Sequence, residues 1–155
     1  IAGASYGPEI TGEVLRTTAA DYARSAGLGF LSTLIAAGYA ALAGMFSRSI
    51  LGGVLVAYGL TIAENLSLVA LLLIAIFLDF RTIVHLYRFL PGYNLQNLDS
   101  WFRIGEPAPL EIAFSGTDRL VVRDSAEFSA LVIAAWVVGL IGLTVYLFRR
   151  QDITS

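Results

Sequence analysis

The chain has 155 residues, is 57% hydrophobic and only 14% charged, and carries a formal net charge of −2. A soluble domain has about 25% charged residues, so the composition points to a membrane, and the mean hydropathy of +0.74 agrees. All ten cationic side chains are arginine, cysteine is absent and there is one histidine, His85. That rules out a P-loop lysine, a Schiff-base lysine, thiolate chemistry, iron–sulfur clusters and a multi-histidine metal site within one copy. With no basic stripe, nucleic acid is not expected as a partner.

Residues 1–25 are mixed and polar. Val14, Leu15, Ala19, Tyr22 and Ala26 are at roughly helical spacing, so Thr11–Ser25 reads as a short amphipathic helix leading into the first span. Ala26–Phe46 has no charged residue. About 20 apolar residues, rising about 1.5 Å each, cross the roughly 30 Å hydrocarbon core of a bilayer. Residues 26–46 are therefore a first transmembrane helix. Ala36, Ala40 and Gly44 recur every fourth position and place small side chains on one face, where another helix can approach closely.

Ser47–Ser49, with Arg48 between, is a short connection that turns the chain into a helical hairpin. Residues 50–78 form the second span, with Glu64 as its one charge. It is long for a vertical helix, and either tilts or breaks near Leu68 to restart as a re-entrant segment. An ionised carboxylate in mid-bilayer costs several kcal/mol. Glu64, with Asn65, therefore either lines a polar path or reaches water at a helix end.

Residues 79–127 read as an interfacial helix and an extramembrane loop. Arg81, His85 and Arg88 fall on one face of an α-helix, which Pro91-Gly92 then stops. Arg81 and Arg88 are candidates for lipid-phosphate contact. His85 is a candidate ligand for a metal, haem or pigment, with hydrated interfacial histidine the blander reading. Tyr93, Trp101 and Phe102 suit the headgroup layer. Glu111–Phe114 and Arg119–Val122 read as two short strands around a Ser115–Asp118 turn, with Asp118 and Asp124 as solvated loop charges. Asp124 or Ser125 caps the final helix.

Residues 128–148 are the third span, again uncharged. Trp136 lies near its middle in a packing or lipid-facing role, and Gly139 and Gly142 permit close helix contact. Residues 149–155 form a tail opening with Arg149-Arg150. The expected fold is an all-α membrane protein with three transmembrane helices, an interfacial amphipathic helix and a polar loop. A count of arginines places the 79–127 loop inside, whereas their density in the Arg48 turn and the tail places those inside, and the two leave orientation open. No serine–histidine–acid set is arguable, so no catalytic residues, and no metal site, are assigned.

The ending Leu147-Phe148-Arg149-Arg150-Gln151-Asp152-Ile153 resembles the C-terminus of ABC-2 type transporter permeases. The turn at Phe46–Ile50 and the Leu90-Pro91-Gly92-Tyr93-Asn94-Leu95 element, followed by an external loop and a last span, fit the same family in the same order. The resemblance covers residues 26–153. It implies the last three of six spans in a longer chain, a cytoplasmic tail, a bacterial plasma membrane location and a separate ATP-binding subunit, so that no cofactor is needed on this chain and any ATP is hydrolysed by the partner. Gln151 departs from the family's arginine–aspartate tail. A different class also fits: a non-transporting accessory or scaffold subunit of a larger photosynthetic or respiratory membrane complex, in contact with pigment or lipid.

Overall fold

The computed structural model describes residues 11–78, 81–113 and 119–151. The polar stretch before Thr11, the Ser115–Asp118 turn and the tail beyond Gln151 lie outside the described residues. Three helices, Gly12–Ser47, Ile50–Phe77 and Ala126–Arg150, are long and apolar enough to cross a membrane. The protein is an all-α multi-pass membrane protein whose extramembrane part adds one small β-hairpin.

Helix α1 runs unbroken through Gly12–Ser47. The amphipathic helix expected before Ala26 is thus the first part of the same rod. Nothing between Ser25 and Leu28 interrupts the backbone ladder, because Gly27 alone weakens a helix by only about 1 kcal/mol. Thr11 caps the start: its hydroxyl oxygen accepts from the Val14 N–H at 3.3 Å, satisfying one of the donors a helix start leaves free. At the far end Arg48 adopts a left-handed conformation, with φ 50°. Ser49 then caps α2 (Ile50–Phe77) by accepting from the Gly52 N–H at 3.2 Å. One residue with positive φ and one cap reverse the chain.

The hairpin closes over small residues. A Cβ added at Gly53 would meet the Ala40 carbonyl oxygen at 2.7 Å and the Gly44 backbone at 2.9 Å. The Ala40–Gly44 face therefore meets its partner helix as expected. α2 is continuous, so of the two alternatives for this long span the break near Leu68 does not occur. The reversal comes later, in the next segment.

A 3-10 helix, Arg81–Phe89, follows, and it doubles back along α2. Val84 is fully buried in a cluster with Ala75, and the Gly92 N–H, just past the 3-10 helix, reaches the Glu64 carboxylate. The lengths agree: nine residues at about 2 Å cover roughly 18 Å, and α2 from Glu64 to Leu78 at about 1.5 Å per residue covers roughly 21 Å. α3 (Pro91–Ile104) then turns outward again. Its Leu98 packs with Ile35 of α1 and Ile133 of α4, and Arg24 Nη1 donates to the Phe102 carbonyl at 3.3 Å near its end.

This corrects two expectations. The segment is not one interfacial helix but a descending 3-10 helix and a returning α-helix. A helix does end just before Pro91, but it is a 3-10 helix, and Pro91 also starts the next one, since at the first helical position its missing N–H is not needed and its fixed φ is already helical. In a three-residue-per-turn helix, residues four apart no longer share a face. His85 and Arg88, three apart, share one face of this helix.

Strands β1 (Leu110–Ala113) and β2 (Arg119–Val122) pair antiparallel, with Leu110 opposite Val122 and Ile112 opposite Leu120. Leu110, Ile112 and Val122 turn inward onto Val84, Ala75 and Tyr93, so the hairpin lids the end of α2. Ser125 Oγ accepts from the Phe128 N–H at 3.2 Å and caps α4 (Ala126–Gln151). α4 packs against α1 at Gly38, where an added Cβ would lie 3.0 Å from the Leu140 side chain.

Candidate functional site

Two polar centres lie between these helices, both built by the re-entrant pair. The outer one is centred on Asp124, which is 3% exposed. Arg88 Nε donates to both of its carboxylate oxygens at 3.0 Å, and Nη2 donates to Oδ1 as well. The Tyr93 hydroxyl donates to Oδ2 at 3.1 Å. The Asp124 carbonyl accepts from Asn97 Nδ2 at 2.9 Å and from Trp101 Nε1 at 3.1 Å. Asn97 also donates to Ser129 Oγ at 2.9 Å and accepts from the Ala108 N–H at 2.8 Å, so one buried amide ties α3 to the loop and to α4. Arg88 further lies over the Phe128 ring, 5.1 Å from its centroid.

The environment tunes these groups in one direction. Burial, then the Asp124 charge and hydrogen bond, push the Tyr93 hydroxyl above its usual range. The hydrogen bond to Asp124 raises the Arg88 guanidinium further still. The buried Asp124 carboxylate meets donors from Arg88 and Tyr93 at both of its oxygens.

The inner centre is a cleft of about 340 Å3 between α1, α2 and the re-entrant pair, with Tyr39, Thr61, Glu64, Asn65, Tyr87 and Gly92 in its wall. Glu64 is half-buried and accepts from the Gly92 N–H at the start of α3, where a helix N-terminus favours negative charge. Asn65 is exposed and turns back to the Thr61 carbonyl at 2.8 Å. At the same depth Trp136 Nε1 donates to the Phe89 carbonyl at 2.7 Å, and its ring meets Tyr39 edge-on with centroids 6.0 Å apart. Asn94 closes the turn by donating to the Arg88 and Leu90 carbonyls at 2.7 and 2.8 Å. The Leu90-Pro91-Gly92-Tyr93-Asn94 element thus has a physical rationale: Pro starts the helix, Gly92 admits the carboxylate and Asn94 caps the carbonyls left by the 3-10 helix. A Cβ at Gly92 would come within 2.8 Å of Glu64 Oε1.

The candidates from the sequence are divided by this geometry. Glu64 and Asn65 share one cleft. Arg88 is not available for lipid phosphate, because its guanidinium is committed to Asp124. The Trp101 N–H is held by the Asp124 carbonyl. Asp124 is not a solvated loop charge; it is the hub of the outer centre. The side chain of Arg81, and Asp118, lie outside the described residues. His85 is half-buried, and its Nδ1 is buried with no hydrogen-bond partner among the described residues. Those residues include no group of three or more His, Asp or Glu side chains that could hold a metal ion. Gly139 and Gly142 have open space where a Cβ would stand, so they support no helix contact among the described residues. Ala36 lines the cleft, while Ala40 and Gly44 carry the helix contact.

Sequence reasoning missed Asp124, Tyr39, Asn97, Gly38 and Gly53. The polar pair Asn94 and Asn97, three apart beside Leu95 and Leu98, was the available signal for α3: neither amide can be buried without partners. The arrangement offers hydrogen-bond donors and acceptors and one carboxylate in the cleft wall. Searches of protein-family models, of curated proteins and of solved structures each find no match to this chain.

Proposed function

We propose that this chain is a membrane-spanning permease subunit of an ABC-2 type exporter, located in a bacterial plasma membrane and driven by a separate ATP-binding subunit. The observation that carries this reading is the polar cleft at Glu64, enclosed by a helical hairpin on one side and a re-entrant pair on the other. A carboxylate held at that depth in a three-span protein is costly unless a polar cargo or a water-lined path uses it. The family resemblance adds its own support: the Ser47–Ser49 turn, the Leu90–Asn94 element and the arginine-ended last span occur in the family's order. Under this reading helices α1 and α2 and the turn at Pro91 line the path, and nucleotide binding on the partner shifts them between two arrangements.

The test is to isolate the chain with its native neighbours from membranes. The expected partner carries a G-x-x-x-x-G-K-[ST] loop, and the complex has ATPase activity that vanadate inhibits and that falls with Glu64→Gln without loss of assembly. Redox or pigment-bearing neighbours with no such ATPase would replace this reading with the accessory-subunit one.

A further inference from the structure

Away from the cleft, a polar cup and an apolar groove meet end to end on another face. The groove has a volume of about 690 Å3 and is walled almost wholly by apolar atoms of α1, α3 and α4, among them Gly27, Leu28, Leu31, Leu98, Ile133 and Val137. The cup, about 400 Å3, contains Thr18, Asp21, Arg24, Ser25, Asp99 and Arg103. Arg24 and Phe102 belong to both, so the two form one amphipathic cavity.

We propose that this cavity is a binding site for one phospholipid with a primary-amine headgroup, its acyl chain in the groove and its phosphate and ammonium in the cup. Position supports it. Arg24 stands just before the charge-free run that opens at Ala26, where a headgroup meets the hydrocarbon. From Arg24 to Leu31 the wall descends roughly 10 Å, a third of the hydrocarbon core. Charge supports it too. The cup holds two guanidinium and two carboxylate groups, paired as Arg24–Asp21 at 3.3 Å and Arg103–Asp99 at 2.9 Å. Both pairs are exposed, and such pairs hold little by themselves, so each exchanges readily for a ligand charge. A zwitterion matches this set: guanidinium groups take the phosphate, and carboxylates take the three N–H donors of an ammonium. On α1 Asp21 lies a turn farther out than Arg24, as the amine lies farther from the acyl chains than the phosphate; on the outgoing α3 the order is reversed, with Asp99 a turn deeper than Arg103. A choline headgroup has no N–H to donate, and a glycerol headgroup leaves the lipid anionic beside Asp21 and Asp99.

The full chain is purified from membranes in mild detergent, stripped of lipid, and examined by native mass spectrometry with phosphatidylethanolamine, phosphatidylcholine and phosphatidylglycerol of identical acyl chains. The expected result is retention of phosphatidylethanolamine roughly tenfold above the other two, the scale of one charge-assisted hydrogen bond. The double variant Asp21→Asn, Asp99→Asn is expected to level that preference, and Arg24→Gln to weaken all three lipids. Gly27→Leu fills the groove and is expected to lower occupancy by every lipid; it tests the site cleanly because an added Cβ at Gly27 meets nothing within 4 Å. Gly139→Leu, equally unobstructed and on a different face, is expected to change nothing. Equal retention of the three lipids, a preference that survives loss of both carboxylates, or unchanged occupancy in Gly27→Leu each overturns the proposal.

Discussion

Arg88 and Asp124 are joined by a bidentate ion pair across 36 residues of sequence, with Arg88 Nε at 3.0 Å from both carboxylate oxygens. Arg88 ends the descending 3-10 helix and Asp124 precedes the last span, so the pair fixes the re-entrant segment to α4. The Asp124 side chain is 2% exposed and that of Arg88 32%. Removing one partner of a fully buried pair costs about 3–5 kcal/mol. With a third of Arg88 still in contact with solvent, Asp124→Asn is expected to cost about 2–3 kcal/mol, at or below the foot of that range. Arg88→Met leaves the more deeply buried charge unpaired and is expected to cost more. The double variant should cost less than the two single changes added together, a coupling that thermal unfolding of the four proteins in one detergent measures directly.

The Tyr93 hydroxyl makes stability depend on alkaline pH. Its folded-state pKa is raised, by burial first and by Asp124 next. The unfolded chain therefore releases this proton near the ordinary value of about 10, while the fold holds it. The contribution is fully present below pH 10 and is lost as pH rises from there toward the folded value, at about 1.4 kcal/mol per pH unit for one proton. A stability profile from pH 8 to 11.5 should be level up to about 10 and then fall. Tyr93→Phe should lower the plateau by about 1 kcal/mol through the lost hydrogen bond and make the fall above pH 10 shallower. An equally steep fall in Tyr93→Phe would assign the pH dependence to other groups.

The spans were legible because their signal is summed over many residues. Charge-free runs at Ala26–Phe46 and Phe128–Phe148 need no knowledge of neighbours to be read, and the helices found there extend past them only at capped or polar ends. The two strands and the Ser125 cap were legible for a similar reason, since turn and cap chemistry is local. The re-entrant pair was not. Proline before glycine reads equally as the end of one helix or the start of the next, and only the packing of Val84 on Ala75 decides it. Asp124 was misread because its sequence neighbour Arg123 offers a ready partner, whereas its real partner, Arg88, is far away in the chain. Gly139 and Gly142 were taken for packing residues because a glycine's neighbours are set by helix rotation, which a uniformly apolar α4 does not encode.

That last point gives a contrast between glycines. At Gly53 an added methyl meets backbone of α1, the Ala40 oxygen at 2.7 Å and Gly44 at 2.9 Å, and backbone cannot rotate away. Gly53→Ala is expected to force the hairpin apart at a cost of about 1–3 kcal/mol. At Gly139 and Gly142 the same change meets nothing, and alanine favours a helix over glycine by up to about 1 kcal/mol. Those two variants should unfold at the wild-type temperature or slightly above it. Loss of stability at Gly139→Ala only within the isolated native complex would mark that face of α4 as covered by another subunit.

Glu64 and Gly92 meet where α3 begins, and the cleft depends on their contact. Glu64→Ala leaves the exposed Gly92 N–H without its protein acceptor at the helix start, which costs about 0.5–1.5 kcal/mol and removes the charge that a helix N-terminus favours. Glu64→Gln keeps an acceptor oxygen in place and should cost about 1 kcal/mol or less. Gly92→Ala sets a methyl against Glu64 Oε1 at 2.8 Å. The carboxylate is the end of a flexible side chain and can swing aside, so this variant should fold but lose the hydrogen bond. Hydrogen exchange of the backbone from Phe89 to Leu95 separates these outcomes: faster exchange is expected in Glu64→Ala and Gly92→Ala and nearly unchanged exchange in Glu64→Gln. The β-hairpin, anchored through Leu110 and Val122 rather than through Glu64, should keep its protection in all three. Uniform loosening of the hairpin along with the turn would mean that the carboxylate holds the whole extramembrane part in place rather than this one turn.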